Sequence, residues 1–371
     1  MSLAGDLVET SEGATKLLVP RVHSLKGPGK RQGRVFYNRQ MAFSRDVSVM
    51  LFEALNTDDW TALDSMAGTG ARGIRVANEV RKPFKFDLND RDLVACDCIR
   101  RNIALNGVDN CTALNEDMRC LLSDRYYDYI DIDPFGTPVP YVAAAIMGCK
   151  RKGVLGITAT DTASLSGTYP KKCVRRYGAT PVRCAFGHEL GLRILIGYVV
   201  REAAKFDRGT RPLLCYYADH YFRLYLRQTE GAGEADRSLA ELGYIVYDPL
   251  TGEREFTMER RERAFGPLWG GAIWDGQALE SLRVGPTLEE SARCQKYLGI
   301  WREELNLPYH FDVDEIAHLI RSSPPPMSIL IERLREAGSA SRTHFAPTGF
   351  KTDLDLSEIL EAVSELARQV G

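Results

Sequence analysis

The chain has 371 residues, 44% of them apolar and 26% charged, which is the make-up of an ordinary globular protein and more chain than one core usually needs. A net charge of −2 excludes a surface that is basic throughout. No apolar run approaches the roughly 18 to 20 residues that span a bilayer, and "MSLAGDLVETSEG" lacks the order of a signal peptide, so a cytosolic protein with no membrane association is expected.

The net charge hides its distribution. From Gly13 to Arg45 there are eight Lys or Arg (Lys16, Arg21, Lys26, Lys30, Arg31, Arg34, Arg39, Arg45) and no Asp or Glu. From Lys171 to Arg211 there are ten basic residues against Glu189, Glu202 and Asp207. Such stretches read either as solvated faces or as local positive surface for phosphates. The nine cysteines are an odd number with no C-x-x-C pair. That pattern argues for buried apolar thiols and against a disulfide framework or a four-cysteine zinc site.

After the basic arm, "SRDVSVMLFEAL" predicts a helix and "WTALDSM" a buried strand that opens into "AGTGARGIRVANEV", a glycine turn and helix. "PFKFDLND", "NCTALNED", "YYDYIDIDP" and "GVLGITATD" predict further strands. Between them "RDLVACDCIRRNIALNG" and "PYVAAAIMGCKRKG" predict helices. Alternation of this kind is the signature of a parallel sheet covered on both faces. "GHELGLRILIGYVVREAAKF" predicts a long amphipathic helix. "PLLCYYADHYFRLYLRQ" predicts two strands meeting near Asp219 and His220 as an antiparallel hairpin at the sheet's edge. Beyond about residue 229 the alternation stops. There "DVDEIAHLIRSSPPPMSILIERLREAGSASRTHF" has the outline of a helix-turn-helix or winged-helix module.

The glycine turn "DSMAGTGARG" puts Asp64 at a strand end and Gly68, Gly70 and Gly73 where a helix opens. A G-x-G-x-x-G match alone is also the mark of nicotinamide dinucleotide sites. Three carboxylates distinguish the two. Asp64 would crowd a pyrophosphate but could meet an ammonium; Asp90, ending "FDLND", is placed for two ribose hydroxyls; Asp117 in "NEDM", with Met118 beside it, could accept from an adenine amine. Each also reads as a helix cap. Together they fit S-adenosylmethionine, which has ribose, adenine and ammonium but no phosphate.

"DIDPFGTP" places Asp133, Pro134 and Phe135 at the carboxyl end of a strand, where open α/β sheets bind ligands. An exocyclic amine on a base is a poor nucleophile because its lone pair is delocalised. Asp133 and the Pro134 carbonyl could accept its hydrogens while Phe135 stacks on the ring, which supplies positioning and a proton acceptor. A tight turn with a buried Phe135 is the plainer alternative.

These segments, with "VFYNRQMAFSRDVSV", "TATDTASLSG", "CVRRYGA", "GPLWGGAIWD" and "ASRTHFAPTGFKTD", resemble the tRNA (guanine-26 N2) methyltransferases over nearly the whole chain. The resemblance implies a class I methyltransferase fold, α/β with a seven-stranded mostly parallel sheet, over residues 1–228. A smaller α+β domain that docks tRNA would occupy 229–371. It implies that Asp133 is catalytic, that Phe36 is the second wall of a gap wide enough for one purine, and that Arg45, Arg72, Asp90 and Asp117 hold the cofactor. One or two methyl groups would go to N2 of guanine 26. Methylation of adenine N6 or cytosine N4 is the nearest alternative, and a nicotinamide oxidoreductase or a non-catalytic RNA-binding scaffold lie further off. Some members carry zinc-binding cysteines before "GPLW". This chain has none between Cys215 and Cys294, so its C-terminal domain is expected to be held by an apolar core alone, with no metal. The proline that often follows "VFYN" is Arg39 here. No obligate protein partner is evident.

Overall fold

The computed structural model describes residues 7–22, 34–55 and 58–370; Lys26, Lys30 and Arg31 of the basic arm lie outside them. The chain opens with a hairpin, β1 (Leu7–Glu12) and β2 (Thr15–Pro20), followed by α1 (Ala42–Ala54). Strands and helices then alternate: β3 (Trp60–Asp64), α2 (Ala71–Glu79), β4 (Phe84–Asn89), α3 (Leu93–Asn106), β5 (Cys111–Leu114), α4 (Met118–Leu121), β6 (Tyr127–Ile132), α5 (Val139–Gly148) and β7 (Cys149–Ala159). α6 (Thr162–Leu165), α7 (Pro170–Tyr177) and α8 (Gly187–Ala204) lead to a hairpin of β8 (Arg208–Ala218) and β9 (Tyr221–Glu230).

These strands form one seven-stranded sheet in the order β5-β4-β3-β6-β7-β9-β8. β3 to β7 pair in parallel, and β9 runs antiparallel to both β7 and β8, as the edge hairpin required. β6 and β7 are buried along most of their length because helices cover both faces of a parallel sheet. The chain winds from β3 outward to β5 and then crosses back to β6 on the other side. The crevice above the ends of β3 and β6 is therefore the switch point at which ligands bind in such sheets. α8 differs from expectation. It is buried on nearly every side, packed between the sheet and a later strand, so it has no solvent face.

Next come α9 (Ala232–Leu239), β10 (Leu242–Tyr247), β11 (Arg254–Thr257), β12 (Ala264–Trp269), α10 (Gly276–Ser281) and α11 (Ser291–Glu303), with the three strands in one small sheet. Ile245, Leu268, Ile273 and Trp301 join the same apolar core as the large sheet. β13 (Phe311–Asp312), α12 (Val313–Leu319), α13 (Met327–Arg335), β14 (Ala340–Arg342), β15 (Gly349–Thr352) and α14 (Leu356–Val370) close the chain. This last part has its own core of Ile316, Leu330, Leu334, Phe350, Ile359 and Val363. Its helix pair followed by a two-strand wing, with sheet order β13-β15-β14, has the winged-helix outline.

An apolar core is not all that holds this part. Glu189 on α8 is completely buried and accepts from Lys351 Nζ and from His310 Nδ1, both at 2.9 Å, and pairs with Arg193. Glu304 meets His344 Nδ1 at 2.7 Å and Lys351 at 3.2 Å. Burial pushes the Glu304 carboxyl up, but His344 and Lys351 more than offset it and hold the group down at about 2. Each buried charge has a partner, the condition under which such a junction is tolerated.

Six cysteines are buried and no disulfide forms among the described residues. No described helix is long and apolar enough to cross a membrane.

Candidate active site

A cavity of about 510 Å³ opens above the ends of β3, β4 and β6. It brings together nearly all of the residues singled out in the sequence: Phe36, Arg45, Asp64, Gly68, Arg72, Asp90, Asp117, Asp133, Pro134 and Phe135. Gly70 and Met118 do not line it. Gly70 caps α2 with a positive φ, and an added Cβ would strike Ile74 at 2.9 Å, so its role is the turn itself. Met118 points into the apolar core between sheet and helices.

The glycine turn is built around Asp90, whose Oδ2 accepts from Gly68 N at 3.0 Å and whose Oδ1 accepts from Asp92 N at 2.8 Å. Gly68 has φ +58°, and a Cβ there would lie 2.9 Å from the Phe36 carbonyl oxygen. Glycine thus allows the segment carrying Phe36 to cross directly over the turn. Asp117 caps α4 and is paired with Arg119 at 2.7 Å, a hydrogen bond that lowers its carboxyl to about 2. Carboxylates at the ends of β3 and β4 and after β5 form an acceptor set suited to hydroxyls, an amine and an ammonium. They offer a pyrophosphate no cation, so the residues present fit S-adenosylmethionine and disfavour a nicotinamide dinucleotide.

Asp64 is the buried member of this set. Burial first, and then the negative charges of Asp131 and Asp133, push its carboxyl up to about 8, so it is neutral at pH 7. An acid whose pKa is raised on folding makes the native state hold more protons than the unfolded chain, so its contribution to stability falls as pH rises from about 4 to 8. Pairing with a ligand ammonium reverses the preference. If Asp64 takes the ligand ammonium, cofactor binding at pH 7 is expected to release most of one proton, with affinity rising toward pH 8 and falling above it as the ligand's own amine, ordinarily titrating at about 8, loses its charge. Titration calorimetry in two buffers of different ionisation heat measures this, and Asp64→Asn should abolish the release and weaken binding roughly 10- to 100-fold.

Asp133 follows β6, and its Oδ2 accepts from Arg72 Nη2 at 2.8 Å. Arg72 also donates to Ser48 Oγ at 2.7 Å, and its Nε lies 3.5 Å from Asp131 Oδ1. Asp131 is completely buried and is gripped from behind by Arg223, which also donates to Thr158 Oγ1 at 2.9 Å. A row of alternating charge, Asp133, Arg72, Asp131, Arg223, therefore runs from the cavity into the core. The guanidinium of Arg45 is likewise engaged, donating to Glu12 at 2.5 and 2.6 Å and to the Asn38 carbonyl at 3.0 Å. Both arginines line the cavity while their charged ends are turned to protein partners.

The gap expected between Phe36 and Phe135 is closed. The ring centroids are 4.7 Å apart at an interplanar angle of 79°. A purine between two faces needs about 7 Å, twice a carbon contact of about 3.5 Å. Phe135 is 55% exposed, and an edge-to-face contact with Phe36 removes apolar surface from water. In this arrangement no base fits between the two rings.

Sequence reasoning did not reach the roles of Asp131 and Arg223, and although it placed the hairpin turn near Asp219 and His220, it did not bring that turn, with Tyr221, to the cavity it also lines. The available signal was an aspartate inside an apolar strand, which demands a buried cation. The basic arm is also less free than its composition implied, since Arg34 pairs with Asp92 and Arg39 with Glu289.

The family described as N2,N2-dimethylguanosine tRNA methyltransferase matches residues 13–364. A protein of Pyrococcus furiosus named tRNA (guanine(26)-N(2))-dimethyltransferase is 36% identical over 384 residues, covering 96% of this chain and 98% of its own length. One of the same name from Methanoregula boonei is 40% identical over 374 residues, covering 96% and 98%. The structure of Trm1 from Pyrococcus horikoshii in complex with S-adenosyl-L-methionine has a TM-score of 0.88 at 34% identity, covering 96% of this chain and all of that one. With its crevice, its acceptor set and this agreement along nearly its entire length, the chain belongs to the N2,N2-dimethylguanosine tRNA methyltransferase family.

Proposed function

We propose that this protein transfers methyl groups from S-adenosylmethionine to the exocyclic N2 of guanine 26 in tRNA, in the cytosol. The observation that carries the reading is the convergence of Asp133, Pro134 and Phe135 on the same cavity as Asp64, Asp90 and Asp117. When bound, the cofactor supplies an electrophilic methyl group on sulfur. Asp90 would take its ribose hydroxyls, Asp117 its adenine amine and Asp64 its ammonium.

The chain's own residues then act on the base. Asp133 and the Pro134 carbonyl accept the N2 hydrogens, which turns the amine's lone pair toward the cofactor. Phe36 and Phe135 hold the ring plane once they have parted. The proton released from N2 passes to the Asp133 carboxylate, and Arg72 fixes the direction of that carboxylate throughout. A guanine stacked inside the tRNA cannot present this edge, so it must be flipped out. Residues 229–371, which end in the winged-helix outline of 311–370, would dock the tRNA. The exposed cations Lys171, Arg175, Arg183, Lys205 and Arg211 would meet its phosphates.

Mass spectrometry of nucleosides from a tRNA transcript treated with the purified protein tests this. N2-methylguanosine or N2,N2-dimethylguanosine at a single site is expected, whereas methyladenine or methylcytosine in its place would overturn the reading. Gripping about five phosphates should also weaken tRNA binding roughly 10²- to 10³-fold between 50 and 200 mM salt, as a filter-binding titration would read.

A further inference from the structure

Two sequence motifs have no role so far, "TATDTA" with Asp161 and "CVRRYGA" with Arg176 and Tyr177. The fold brings both against the segment that carries Phe135. Tyr177 OH donates to Asp161 Oδ1 at 2.7 Å and lies 2.7 Å from Thr137 Oγ1. Arg176 Nη1 donates to Asp161 Oδ2 at 2.8 Å. A phenol has one proton, and here it goes to a carboxylate that can only accept, so Thr137 must donate to the Tyr177 oxygen. The chain therefore runs in one direction, from Thr137 through Tyr177 to Asp161, and ends on a charge-assisted bond, the arrangement in which hydrogen bonds reinforce one another. Tyr177 is completely buried and the Asp161 side chain only 6% exposed. Burial also raises the Tyr177 phenol far above its usual range, so it remains a donor at any working pH.

The same segment is clasped a second time. Gly136 N donates to Thr160 Oγ1 at 2.8 Å, and Thr160 N donates to the Gly136 carbonyl at 2.9 Å. Gly136 has φ +84°, a left-handed conformation that glycine permits. On the other side of Phe135, the Asp133 side chain is tied to Arg72. The backbone is thus anchored directly after Phe135, and the side chain two residues before it is tied as well, while the ring stays largely exposed, so a base can be admitted by turning a ring while the Phe135 backbone stays in place.

Resting on the proposed function, we infer that Asp161, Tyr177 and Thr137 form a brace that holds the Phe135 backbone where its ring can cover the target guanine, which makes Asp161 and Tyr177 positioning residues. A brace set during folding lowers the ordering cost when the base arrives. Arg176 shares α7 with Lys171, Lys172 and Arg175, so the same rigid part would carry both phosphate contacts and the base wall.

A double-mutant cycle tests the brace. Tyr177→Phe is expected to lower kcat roughly 10- to 100-fold while leaving the Kd values for S-adenosylmethionine and tRNA within about twofold. In a Phe135→Ala background the same change should cost less than about twofold more, because the wall it positions is already gone. Asp161→Asn keeps an oxygen for Tyr177 and should fall between the parent and Asp161→Ala. Defects of Tyr177→Phe and Phe135→Ala that simply multiply would overturn the brace, as would a harmless Tyr177→Phe beside a costly Phe135→Ala. Lost cofactor binding in Tyr177→Phe would reduce the network to a folding role and overturn it too. A Phe135→Ala enzyme as fast as the parent is a different result, since it removes the base-wall reading itself and this inference with it.

Discussion

Asp133→Ala is expected to reduce the single-turnover methylation rate roughly 10²- to 10⁴-fold, the range for removing a positioned acceptor and proton-taking group. Binding of S-adenosylmethionine should change by no more than about threefold, because the groups proposed to hold the cofactor are Asp64, Asp90 and Asp117. Asp133→Asn is the sharper variant. It keeps one acceptor oxygen and the side chain's shape but cannot take a proton, and it turns an amide toward Arg72 where a carboxylate stood. A loss close to that of alanine would mean that charge and basicity matter more than shape. A second readout needs no methyl transfer. The Asp133 charge is one of the influences that raise Asp64, so either variant should lower the Asp64 pKa and reduce the proton release on cofactor binding at pH 7. A Asp133→Ala protein that methylates tRNA at the parental rate would remove this residue from the chemistry.

The largest effect on stability is expected at the far end of the same row of charges. Arg223→Met should destabilise the fold by about 3–5 kcal/mol, the usual cost of leaving one partner of a buried ion pair alone. Arg223 and Asp131 are both completely buried. The guanidinium also donates to Tyr129 OH at 3.1 Å and lies 4.4 Å from the centre of the Tyr225 ring, so little in the surroundings could replace it. Burial pushes the Asp131 carboxyl up, and Arg223 with Arg72 more than offsets it, holding the group below its ordinary range.

Without Arg223 that balance reverses. The buried carboxyl would rise, and the variant would lose stability as the pH climbs above the ordinary carboxylate range, so its deficit against the parent should shrink in acid. Denaturant unfolding at two pH values measures this. Asp131→Leu combined with Arg223→Met should recover much of the loss, because an apolar pair of similar volume leaves no unpaired charge. A double variant no more stable than Arg223→Met would show that packing, and not the charge, sets the cost. Arg72 would be left as the single cation for Asp131 and Asp133, so activity should fall even under conditions where the variant is fully folded.

Much of this architecture was legible from local signals. Alternating strands and helices, the glycine turn and the apolar run ending in Asp133 each depend on residues close in sequence, through periodicity, positive φ and β-propensity. Those signals were enough to place Asp64, Asp90, Asp117 and Asp133 around one crevice, because a parallel sheet puts all its strand ends on the same side.

What each charged group does there was decided elsewhere. Arg72 and Asp133 are 61 residues apart, Arg223 and Asp131 are 92 apart, and Lys351 reaches Glu189 across 162 positions. Composition marked Arg45 and Arg193 as candidates for phosphate, yet both are buried in ion pairs, and the partner of Arg45 is Glu12, just outside the basic stretch. The closed contact between Phe36 and Phe135 and the brace through Tyr177 likewise exist only once the chain has crossed back from β5 to β6. A sequence lists charges and rings, but the strand order and the burial that follows from it choose their partners, since a charge removed from water must find its counterpart wherever the fold places one.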